Sequence, residues 1–69
     1  MTEQAMRELQ ALLEYLVKHN ADHAGEILEL AARAESLGKP RVHEHLVRGV
    51  ELLHQSNKSL QAALAELGG

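Results

Sequence analysis

Ile27 to Val50 reads ILELAARAESLGKPRVHEHLVRGV, two helical patterns that meet at Gly38-Lys39-Pro40. Glycine tolerates the left-handed backbone that commonly ends a helix. Proline suits the first position of the next one, where its missing N–H would have no partner anyway. So short a connection makes the flanking helices antiparallel neighbours.

Working back from the turn, Met6, Leu9, Leu13, Leu16, Asn20, His23, Ile27, Leu30, Ala34 and Leu37 recur in steps of three and four. This is the repeat of a helix packed along one seam. Thr2 is placed to cap its start. Gly25 weakens such a helix by about 1 kcal/mol relative to alanine, but the repeat runs through it, so one helix is expected rather than two. Beyond the turn, His43, Leu46, Val50, Leu53, Asn57, Leu60, Leu64 and Leu67 follow the same rule. The fold expected is all-α, an antiparallel helical hairpin with helices over about 3–37 and 41–67, forming one domain across residues 1–69.

Composition agrees. Ala, Glu, Lys, Leu and Arg make up about 57% of the chain, which with this spacing is typical of long packed helices. There is no cysteine, so no disulfide can reinforce so small a domain. A hairpin of 69 residues builds only a thin core. Leu12, Val17, Leu28, Val47 and Leu52 lie off the seams, and Gly49, Ser56 and Ala63 form a flank of small residues on the second helix. A homodimer closing a four-helix bundle would cover these groups. A broader core face within a monomer is the alternative.

The formal charge is -3 with Lys and Arg scattered, which gives no basic stripe for nucleic acid. Tyr15 is the only aromatic residue, and no basic-flanked aromatic face offers itself to a membrane surface. No stretch has the length of a membrane span, and Met1 to Arg7 does not read as a signal peptide, so a cytoplasmic location is expected. No nucleophile stands beside a histidine, and no phosphate-binding glycine loop or paired acids suggest catalysis.

One polar constellation interrupts the seams. A hairpin pairs residues equidistant from its turn, so Asn20 should face Asn57 and His23 should face His54. His19 and His23 are four apart, and Glu26 follows by three, all on one helical face. His19, His23 and His54, with Glu26 as an oxygen ligand, form a candidate set for zinc or nickel. Asn20, Asn57, Glu51 and Tyr15 would then orient or support the ligands. Equally, Asn20 and Asn57 could bond each other and set register and oligomer state, as a seam asparagine does in coiled coils. In that reading the protein is a metal-free interaction module. A pH-sensing pocket of imidazoles is a further alternative. His43 and His45 sit just after the turn and do not face one ion together; they read as structural or solvated.

Leu12 to Ala24, LLEYLVKHNADHA, resembles a family of short uncharacterised helical-hairpin domains. Their first helix tends to read Leu-Leu-x-His-Trp-x-x-His-Asn-x-x-His-Ala, and they are loosely associated with nickel-handling accessory proteins. His19, Asn20 and His23 match the last three polar positions, whereas Tyr15 stands where the family tends to have His and Leu16 where it has Trp. The resemblance implies a hairpin with a shared polar layer and supplies no reaction.

Overall fold

The computed structural model describes residues 2–68. Two helices, α1 (Glu3–Ser36) and α2 (Pro40–Gly68), pack antiparallel along their length. The particle measures 54 × 14 × 13 Å. Each expected helix is present, with bounds within a residue of those read from the sequence.

The ends are built as their residues dictate. The Thr2 side-chain oxygen accepts a bond from the Ala5 amide at 3.1 Å, satisfying one of the orphan donors of the first turn. At the other end Gly38 adopts φ +71°, its amide donates to the Glu35 carbonyl, and the Lys39 amide donates to the Ala34 carbonyl. This pair of bonds is the Schellman closure of a helix. Pro40 begins α2 directly afterwards. His43 fastens the turn from the far side, its Nδ1 donating to the Ala31 carbonyl at 2.8 Å with a Glu35 carboxylate oxygen 3.5 Å away. His43 is therefore structural, as its position suggested. Helix α1 passes through Gly25 without interruption.

The seam of α1 differs from the expected one. The buried positions are Ala24, Ala31 and Ala34, continued by half-buried Leu13, Val17, Asn20 and Ile27. Leu16 and Leu30 are 42% and 50% exposed, and His23 is exposed as well. Both sets obey the three–four alternation and share positions 13, 20, 27 and 34. They differ in whether Val17, Ala24 and Ala31 or Leu16, His23 and Leu30 fill the steps between. Turning the leucine set inward would bury the His23 imidazole, and desolvating a polar ring without a dedicated partner is costly. The alanine set buries nothing polar there and lets the two backbones approach closely. On α2 the seam is the one expected: Val50 is buried, with His43, Leu46, Leu53, Asn57, Leu60, Leu64 and Leu67 half-buried.

Candidate functional site

At the middle of α1, Tyr15, His19 and His23 form a column one turn apart. The Tyr15 ring stacks on His19, with centroids 5.4 Å apart and planes 16° from parallel. His19 and His23 meet edge to face, with centroids 4.3 Å apart. Their Nε2 atoms are 2.8 Å from each other. At that distance one ring donates its Nε2 proton to the lone pair of the other. Glu26 sits on the far side of His23, a carboxylate oxygen 3.4 Å from Nδ1. A carboxylate there favours the proton on Nδ1 and leaves the Nε2 lone pair free to accept or to ligate. Glu26 thus orients the ring and does not share a focus with the two Nε2 atoms. Tyr15 supports His19 by stacking rather than by a hydrogen bond.

The asparagine layer is separate from the imidazoles. Asn20 Nδ2 donates to Asn57 Oδ1 at 3.0 Å, and Asn57 Nδ2 donates to the Val17 carbonyl at 3.0 Å. These are cross-hairpin bonds between half-buried groups, so they fix the relative height of α1 and α2. The amides expected to support a ligand set instead bond each other and the backbone. Glu51 and His54 are exposed on α2.

His54 and His23 stand at matching levels but on different flanks. Relative to the α2 seam, His54 and Val47 fall on one side, and Val42, Gly49, Ser56 and Ala63 on the other. A right-handed helix turns about 100° per residue, and in an antiparallel pair the flank carrying Leu16, His23 and Leu30 on α1 is the flank carrying Gly49, Ser56 and Ala63 on α2. The level was legible from the turn; the flank depends on which phase of α1 faces α2. Among the described residues, no group of three or more His, Asp or Glu side chains is arranged to hold a metal ion.

The flank with the histidines is also the apolar one. Leu9, Leu12, Leu16, Leu30 and Leu37 on α1, with Val42 and Leu52 on α2, are all exposed large hydrophobic residues of this side or its rim, whereas Leu28 lies on the other. Sequence reasoning saw the small residues of α2 but placed the leucines in the hairpin's own seam. The repeat Val17, Ala24, Ala31 was the signal for the alternative. No helix is long and apolar enough to cross a membrane among the described residues.

Fold and site define a two-helix hairpin with an asparagine-paired seam, an imidazole pair and an uncovered leucine flank. The chain belongs to the family described as a domain of unknown function, DUF8180, whose model matches residues 9–67. No curated protein and no solved structure matches it.

Proposed function

We propose that this chain is a self-associating helical module, in which two hairpins pair through the leucine flank to close a four-helix bundle. The observation that carries this reading is the poverty of the hairpin's own core: Ala24, Ala31, Ala34 and Val50 are its only buried apolar residues among those described. The accessible surface is 5478 Å² for 7.6 kDa. A compact monomer of that mass exposes about 4,300 Å². The excess is of the order that one partner contributes to a standard interface, about 800 Å². The Asn20–Asn57 layer fixes the register of α1 against α2 within each hairpin, so the flank offered to a second copy is held in one arrangement.

Sedimentation velocity over a range of concentrations tests the reading. The wild type should pass from monomer to dimer, and Leu30→Glu should weaken the dimer roughly a hundredfold or more, since a buried unpaired charge is costly. Leu28→Glu, on the other flank, should leave it intact. A wild type that remains monomeric at every concentration, or equal effects of the two variants, would remove the proposal.

Metal binding is the second reading, and the converging Nε2 atoms of His19 and His23 favour it. Zinc and nickel both take imidazole ligands. Among the described residues, one chain brings only these two nitrogens to a common point.

A further inference from the structure

The leucine flank of α1 has a centre, and the histidines occupy it. Leu12 and Leu30 are equidistant from position 21, and so are His19 and His23. Glu8 and Arg33 lie on the rim of the flank, equidistant from nearly the same point. A second copy related by a two-fold axis at this level, with its α1 antiparallel to the first, therefore sets Leu12 against Leu30 and Glu8 near Arg33, while Leu16 meets the aliphatic stem of Glu26 and Leu9 that of Arg33. It brings the two His19–His23 pairs face to face. Opposite the same level on α2 stands Ser56, with Gly49 and Ala63 one heptad to either side, so the second helices meet through small side chains. In a two-fold interface each residue's contact is repeated by symmetry, so the Leu12–Leu30 and His19–His23 pairings each occur twice, on either side of the axis.

We infer, on the basis of the pairing proposed above, that the dimer axis carries a single divalent transition-metal ion of the zinc and nickel class, held by His19 and His23 of both copies. Three features of the chain point there. Two Nε2 atoms 2.8 Å apart already converge on one point, and both belong to exposed side chains that are free to adjust. Tetrahedral zinc with bonds of about 2.0–2.1 Å needs its nitrogens about 3.3 Å apart, a shift that a small rotation of either ring supplies. Glu26 against His23 Nδ1 is the carboxylate–histidine arrangement that fixes a ligating ring in the correct tautomer. Finally, among the described residues no third acidic or imidazole ligand completes the pair within one chain, so the site is whole only in the dimer. His54, on the opposite flank, takes no part.

On binding, the ring that donated its Nε2 proton takes it up on Nδ1 through exchange with water, so both rings ligate as neutral imidazoles through Nε2; the ion links the copies, and assembly becomes metal-dependent. The test is a zinc titration of chelator-treated full-length protein, followed by calorimetry and sedimentation equilibrium. Wild type should bind one zinc per two chains, and zinc should tighten the dimer roughly tenfold or more. His19→Ala and His23→Ala should each lose that zinc-induced tightening with helix content unchanged by circular dichroism, and His54→Ala should retain it. One zinc per chain with no change in mass, no binding, or loss of the response in His54→Ala would each overturn the inference. The metal-free protein, run in the same series, reports separately on pairing. A metal-free dimer indifferent to zinc would sink the metal site alone, whereas a chain that dimerises only with zinc would uphold the site and remove unaided pairing.

Discussion

Asn57 makes two bonds with one side chain: its Oδ1 accepts from Asn20 and its Nδ2 donates to the Val17 carbonyl. A half-buried amide that loses its partner costs more than the net value of the bond, because the group left behind is desolvated and unpaired. Asn57→Leu alone should therefore lower stability by about 1–3 kcal/mol, since it strands the Asn20 amide. The double variant Asn20→Leu with Asn57→Leu should recover that loss or exceed wild type, while populating slipped or altered assemblies. Thermal melts of the two singles and the double supply the cycle. An additive double would mean that the amides act independently. The meeting of Asn20 and Asn57 was legible in the sequence, because the short turn fixes which levels face each other. The separation of His54 from His23 was not, because level and flank are set by different things: the turn fixes the first and the helical phase the second.

At the scale of the element, α1 presents two complete three–four repeats, one small and one large. The caps, the turn and the continuity through Gly25 could be read from single residues and their spacing, because each rests on a local steric or hydrogen-bonding rule. The phase could not, because the two repeats share four positions and the choice between them depends on the partner helix. The hairpin takes the small repeat and leaves the large one outward. This makes neighbouring residues behave oppositely. In the dilute monomer Leu30→Ala should change stability by less than about 1 kcal/mol, far below the 2–5 kcal/mol of a buried leucine. Ala31→Leu, at a position 1% exposed, should cost about 1–3 kcal/mol through overpacking. Urea unfolding at low protein concentration measures both. The reverse ranking would restore the leucines to the hairpin seam.

The whole molecule is a rod. Its radius of gyration is 16.0 Å, against about 11 Å for a compact domain of this length. A rod of two helices has no interior far from water, and the large apolar residues must be shared with something or stay wet. That is why dimension and burial argue for assembly more strongly than any single residue does.

The buried positions Ala24, Ala31, Ala34 and Val50 also lie towards the turn, while Met6, a seam position at the open end of the hairpin, is 38% exposed. The hairpin is thus a zipper with a stop at one end. Its loosest teeth are beside the two termini, and opening there leaves the Schellman closure and the alanine clasp untouched. Backbone amides should exchange with deuterium in a graded order in the dilute monomer, fastest in the first turns of α1 and last turns of α2, slowest around Ala31 and Val50. Uniform protection, measured by mass spectrometry of peptides along the chain, would mean that the rod opens all at once. A graded opening means that the outer half of the rod can part and rejoin many times before the molecule ever unfolds.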